Sequence, residues 1–228
     1  MSNEQNRVTY VFLGGPTELF PANIFEQIIN AKNAGKNIKV IGVDHGNIAL
    51  LSHEIVPDIA VGDFDSLNKT ERTLMESKVR DIRYAIPEKD FTDSEMGLHT
   101  ALFDLHSDRV EVIGATGGRL DHFLVNLFCV LNERLRPFAQ KITFIDQQNR
   151  IEYFLPGSWK IARKPKYKYL AFVNLTAIAD FQIEDAKYRL QDFSNDYPVS
   201  FASNEFVTDE VNFSFKSGVL SVIYSRDR

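Results

Sequence analysis

The alternation of short β-rich runs with stretches of helical periodicity, sustained to about residue 140, constrains this chain more than any other feature. The runs are "VTYVFL", "IKVIGV", "IAVG", "IRYAI" and "VEVIGA". Strands separated by helices are joined by crossovers, so neighbours run parallel and helices cover both faces of the sheet. "ANIFEQIINAKNAG" sets Ile24, Phe25, Ile28 and Ile29 on one helical face, and Gly35 stands where that helix would end. "SLNKTERTLMESK" and "TDSEMGLHTALFDL" read as further helices, and "DHFLVNLFCVLNERL" as the clearest one, ended by Pro137.

Past residue 140 the helical periodicity stops. "KITFID", "RIEYFL", "YLAFVNL", "VNFSFK" and "VLSVIYS" are strand-like, and "KSG" between the last two is a hairpin signal. The expected fold class is therefore α/β: a parallel-sheet N-terminal domain over residues 1–138 and a smaller all-β sandwich over 139–228, divided between Pro137 and Lys141. A length of 228 residues suits one ordinary domain plus a smaller one.

Composition narrows the class of partner. With 44% hydrophobic and 25% charged residues the chain has ample core material. A net charge of −5 gives no broad footprint for nucleic acid, and the cluster Arg163, Lys164, Lys166 and Lys168 reads as a solvated loop. The single cysteine, Cys129, sits in an apolar run and reads as buried and inert. No apolar run reaches the ~18 residues of a membrane span, and the N-terminus lacks the pattern of a signal peptide. The expectation is a soluble cytoplasmic protein with neither membrane nor nucleic-acid partner.

In an open parallel sheet, ligands bind beyond the carboxyl ends of the strands. Here those ends carry unusual residues: Gly14 and Gly15; Asp44, His45 and Gly46; Asp63 and Asp65; Lys89, Asp90, Thr92, Asp93 and Glu95; Thr116, Gly117, Gly118, Arg119 and Asp121. Any one cluster could be ordinary loop chemistry, and Asp90, Asp93 or Asp121 could cap a helix. All of them at one sheet edge point to a shared purpose. Crowded carboxylates repel unless a cation or proton sits among them. Oxygen-only ligands suit Mg²⁺, which binds through carboxylates, waters and substrate phosphates. Glycines let backbone N–H groups approach phosphate oxygens, and Arg119 and Lys89 add positive charge. No Walker or Rossmann glycine motif occurs in these loops. His45, His99, His106 and His122 form no H-x-x-x-H pair and read as surface or hydrogen-bonding groups.

"GDFDS" (62–66), "KDFTDSE" (89–95) and "GATGGRLDHFLVN" (114–126), in this order and spacing, resemble the thiamin pyrophosphokinase family. "GVDHGN" (42–47) looks like that family's first acidic loop. Further on, "AKYRL" (186–190) and "ASNE" (202–205) are similar to its substrate-domain segments, with Asp185 and Ala186 where the family has glycine. The resemblance implies transfer of a pyrophosphoryl group from ATP to thiamin, giving thiamin diphosphate and AMP. It implies an α/β domain and a β-sandwich domain per chain, and homodimers with sites shared between chains. It implies Mg²⁺ on Asp63, Asp65 and Asp93, with these three, Asp44 and Asp121 as the catalytic acids. ATP would be lined by Gly14, Gly15, Lys89, Asp90, Thr92, Gly117, Gly118, Arg119, His122 and Asn126. Thiamin would be held by Tyr188, Ser203 and Asn204. Asp44 or Asp121 would accept the hydroxyl proton. Three alternatives stand beside this: a metal-dependent phosphatase with an aspartyl nucleophile, since "DFD" resembles the D-x-D of haloacid-dehalogenase-like enzymes; a pyrophosphokinase for a pterin-like alcohol; and a catalytically silent sensor.

Overall fold

The computed structural model describes residues 6–84 and 92–227. The chain divides into two compact units, Met1–Gln147 and Gln148–Arg228.

The first unit holds a parallel sheet. Its strands are β1 (Val8–Phe12), β2 (Ile38–Val43), β3 (Ile59–Gly62), β4 (Ile82–Tyr84), β5 (Arg109–Ile113) and β6 (Ile142–Ile145). The order is β6-β5-β1-β2-β3-β4, and every neighbouring pair is parallel. The run "KITFID" therefore belongs here and not to the second domain. Val110 lies opposite Ile142 and Ile113 opposite Ile145, and Ile142 and Phe144 are buried. The division falls between Gln147 and Gln148, nine residues beyond the expected 138/139. Nothing local marks it: a buried parallel strand and a sandwich strand share one apolar texture.

Helices α1 (Ile24–Asn33), α2 (His45–Leu51), α3 (Lys69–Lys78), α4 (Asp93–His99) and α5 (Leu120–Phe128) connect the strands. Gly35 follows α1 at φ +67°, the left-handed stop expected of it. Asn68 and Glu71 form a reciprocal capping box on α3, and Thr92 and Glu95 form one on α4. Asp93 is thus the first residue of α4 and not its cap. A π-helical turn, Thr100–Asp104, continues α4. The clearest expected helix is shorter than its pattern. It ends at Phe128, passes through a 3₁₀ turn, and opens at Asn132, whose side chain accepts from the Arg134 N–H and donates to Glu95. Such local side-chain bonds compete with helical ones. Cys129 is buried, and burial pushes its thiol far up, in keeping with an inert cysteine.

The second unit is a sandwich of two antiparallel sheets. One has the order β12-β9-β14-β7, built from β7 (Asn149–Phe154), β9 (Tyr169–Asn174), β12 (Val199–Asn204) and β14 (Leu220–Ser225). The other has the order β11-β10-β13-β8, built from β8 (Gly157–Ala162), β10 (Ile178–Ile183), β11 (Leu190–Asn195) and β13 (Glu210–Phe215). Phe172, Phe181, Phe213 and Val222 fill the space between them. Phe172 meets Phe213 edge-on at 5.2 Å, a geometry worth about 0.5–1.5 kcal/mol beyond the area it buries. The expected "KSG" hairpin does not form. β13 pairs with β8 and β10, while β14 pairs with β7 and β9, so the turn carries the chain from one sheet to the other. Gly218 serves that crossing at φ +104°, where a Cβ would lie 2.3 Å from the Ala177 carbonyl.

Candidate active site

Strand order reverses at β1, with β2 to one side and β5 to the other. The loops leaving β1 and β5 meet there, and they do so at backbone distance. Leu13 N–H donates to Ile113 at 2.8 Å and Gly15 N–H to Gly114 at 3.0 Å. A Cβ on Gly15 would lie 2.3 Å from the Gly114 oxygen, so only glycine fits. That bond also occupies the Gly15 N–H, which was expected to face phosphate. At this switch point opens a cavity of about 760 Å³. Its walls include Gly14, Gly15, Asp44, Thr92, Asp93, Gly118, Arg119, Asp121, His122 and Asn126. Gly117 is adjacent, at φ +79°. Expectations for Lys89 and Asp90 fall outside the described residues.

Three carboxylates converge at this edge. Single oxygens of Asp44, Asp63 and Asp93 all lie within 4.8 Å of one another. They come from the ends of β2 and β3 and the start of α4. Close packing makes the approach possible: Gly97 sets α4 down on Val43, where a Cβ would meet the valine methyl at 2.8 Å. Asp44 holds φ +45°, uncommon for a residue with a side chain. Its carbonyl accepts from Asn47 Nδ2 at 3.0 Å, and its Oδ1 accepts the Phe64 N–H at 3.3 Å. Asn47 is wholly buried and was not singled out in the sequence. Asp65 N–H donates to Asp63 Oδ1 at 2.9 Å, and the Asp65 carboxylate lies outside the converging group, whose third member is Asp44.

Electrostatics separate these acids. Burial, and then the charge of Asp93, push Asp44 up to about 7; the Phe64 N–H opposes them, and Asp63 and Asp65 add smaller upward effects. Asp93 is raised for the same reasons, burial first, then Asp63 and Asp65. This donor set suits a hard divalent cation: it is all oxygen, converging, and unfavourable as a bare anion cluster. Asp121 behaves oppositely. Arg119 grips it through Nε at 3.1 Å and Nη2 at 2.5 Å and lowers it to about 2.

Other expected residues sit differently. Asn126 is buried and donates to the Ala115 carbonyl at 3.3 Å, fixing the loop after β5 from within. Thr92 combines its place in the wall with capping. Asp146, buried at the end of β6, accepts from Thr116 Oγ1 at 2.7 Å. It carries the same signal as the other acids, an aspartate closing an apolar strand, but the texture of "KITFID" points to the other domain. In the second unit, Tyr188 is 57% exposed and Ser203 is exposed at φ +59°. Asn204 is buried with its amide bonded to backbone, so it presents no surface to thiamin. Among the described residues no helix is long and apolar enough to cross a membrane.

Comparison with known proteins agrees with this layout. Residues 31–143 match the family model "Thiamin pyrophosphokinase, catalytic domain", and residues 158–220 match "Thiamin pyrophosphokinase, vitamin B1 binding domain". The chain is similar to thiamine pyrophosphokinase of Bacillus subtilis (strain 168), 35% identical over 189 residues, covering 82% of this chain and 87% of that one. Its structure is similar to a thiamin pyrophosphokinase family protein of Enterococcus faecalis, with TM-score 0.87, 34% identity, and coverage of 98% of this chain and 100% of that chain. Thiamin pyrophosphokinase of Geobacillus thermodenitrificans gives TM-score 0.77 at 30% identity, covering 96% and 98%. The yeast enzyme shares the fold, with TM-score 0.72 at 15% identity, covering 98% and 88%.

Proposed function

The chain belongs to the thiamin pyrophosphokinase family, and from that premise we propose how its residues move a pyrophosphoryl group from ATP to the hydroxyl of thiamin. It is an ATP-dependent diphosphotransferase. The observation that carries the assignment of residues is the convergence of Asp44, Asp63 and Asp93 at the switch-point cavity, beside the glycine loops of β1 and β5. The phosphatase and pterin-directed alternatives draw no support from these relatives.

Asp44, Asp63 and Asp93 would hold Mg²⁺, with Asp65 beside them. The cation, when bound, would offset the charge of the triphosphate and of the transition state. The glycine loops and Arg119 would cradle the phosphates, with Gly118, Asp121 and His122 in the same wall. The reaction joins the thiamin oxygen to the β-phosphorus and breaks the bond from that phosphorus to the oxygen bridging it to the α-phosphorus. AMP leaves, and the hydroxyl proton is lost. Of the two acceptors considered for that proton, Asp121 is paired with Arg119 and held far below neutrality, and Asp44, with the cation bound, would serve as a ligand and not as a base. Positioning and electrostatics would supply most of the rate. Tyr188 would stack on the flat cationic ring of thiamin.

Incubation with ATP, Mg²⁺ and thiamin is expected to yield AMP and thiamin diphosphate in equal amounts. Stoichiometric ADP with thiamin monophosphate would overturn the reading. The family resemblance further supports a homodimer in which the acids of one chain serve the Tyr188 of its partner. Asp63→Asn and Tyr188→Ala chains, each impaired alone, should then recover substantial activity when mixed under conditions of chain exchange. No recovery, with exchange verified by mass, would rule out the shared site and leave the chemistry standing.

A further inference from the structure

The segment between β10 and β11 has little regular structure of its own, yet it carries the exposed ring of Tyr188. Asp185 ties its start to Asn212 at 2.7 and 2.6 Å, and one side chain from across the unit holds Tyr188 itself. Asn204 closes β12 and is only 2% exposed. Its Oδ1 accepts the Tyr188 N–H at 2.9 Å, and its Nδ2 donates to the Tyr188 carbonyl at 2.8 Å. Both backbone polar groups of Tyr188 are therefore bonded to a single amide. The same Oδ1 also accepts the Glu205 N–H at 2.9 Å. Neighbouring bonds extend the clamp. Lys187 N–H donates to the Glu205 carbonyl at 3.0 Å, and Ala186 bridges Phe206. Lys187 Nζ meets Glu205 Oε1 at 2.6 Å and lies 5.5 Å from the Tyr188 ring centre.

We propose that Asn204 is a positioning residue for substrate. It holds the backbone of Tyr188 from both sides, so that the ring is presented in one place to the flat cationic heteroaromatic substrate, and it does not touch that substrate itself. An aromatic platform on a loosely structured loop must be immobilised when a ligand stacks on it, at an entropic cost to affinity; a backbone already clamped avoids most of that cost. A side chain asparagine suits the task because it offers donor and acceptor together, spaced like a peptide group. The proposal rests on the reading of Tyr188 as the thiamin platform, and its test separates the two.

The test is a double-mutant cycle in the full chain, with KM for thiamin, KM for ATP and kcat measured in Asn204→Ala, Tyr188→Ala and the double variant. Asn204→Ala is expected to raise KM for thiamin about tenfold, the loss of roughly one well-placed hydrogen-bond pair, with KM for ATP within about twofold of wild type. On the Tyr188→Ala background the same change should add less than about twofold, because the ring it positions is gone. Asn204→Asp keeps the two accepted bonds and loses the donated one. It also sets a buried carboxylate oxygen against the Tyr188 carbonyl, so its effect should be in the same direction and at least as large; Asn204→Ser, neutral and able to keep one hydrogen bond, serves as the cycle partner if the alanine variant fails to fold. Effects that multiply in full across the double variant would overturn the proposal, as would an equal rise in KM for ATP. An unchanged KM for thiamin in Tyr188→Ala would instead remove the platform reading, and the proposal with it.

Discussion

Asp63→Asn is expected to lower kcat by about a thousandfold or more while the chain still folds, because a catalytic cation contributes several kcal/mol to the transition state and each ~1.4 kcal/mol is a factor of ten. The loss should be deepest at limiting Mg²⁺. Wild-type turnover under that condition would exclude a metal role for Asp63. The neighbouring acid gives the complementary stability result. Burial, and then the charge of Asp93, push the Asp44 carboxyl of the cation-free folded chain up to about 7, against an ordinary value of 3.8. Across that window the folded chain keeps a proton that the unfolded chain has lost. Without divalent cation, the contribution of Asp44 to stability therefore falls as pH rises from about 4 to about 7. Asp44→Asn should gain in melting temperature relative to wild type over the same interval, and Mg²⁺ should narrow the gap at pH 8 by stabilising the wild type alone. A difference between the two chains that does not change with pH would count against the raised carboxyl.

Gly62→Ala should disable the site without removing any of its functional groups. Gly62 holds φ +141°, and a Cβ there would lie 2.0 Å from Asp44 Oδ1. The added methyl must push the Asp44 carboxylate aside or force the end of β3 to move. A misplacement of about 1 Å among reacting groups costs on the order of a hundredfold in rate. The strained backbone and the overpacking together are expected to cost about 2–5 kcal/mol of stability. Both are measurable, kcat by product assay and stability by urea unfolding. A variant with unchanged kcat would show that the Asp44–Gly62 contact does not govern the geometry of the acids.

What the sequence by itself determined is what local periodicity and fixed spacing encode. Strand–helix alternation specified a parallel sheet, because crossovers leave no other simple solution. The motifs around Asp63, Asp93 and Arg119 pointed to a candidate site at the carboxyl edge of that sheet, where the cavity opens. The glycines fell where backbone must approach backbone, as at Gly15 against Gly114. The tertiary structure alone decided which distant groups meet. Asp44 and not Asp65 completes the converging acids, because the end of β2 lies beside β3 and under α4. Asn204 reads as a ligand contact by its place in a motif, and burial turned its amide inward onto backbone, whereas Asn126 both lines the cavity and bonds the Ala115 carbonyl. β6 joined the parallel sheet although its residues suit either unit, and the "KSG" turn crossed between sheets although its residues suit a hairpin. In each case the local chemistry is compatible with two outcomes. Burial of apolar faces and pairing of polar groups from remote parts of the chain selected one of them.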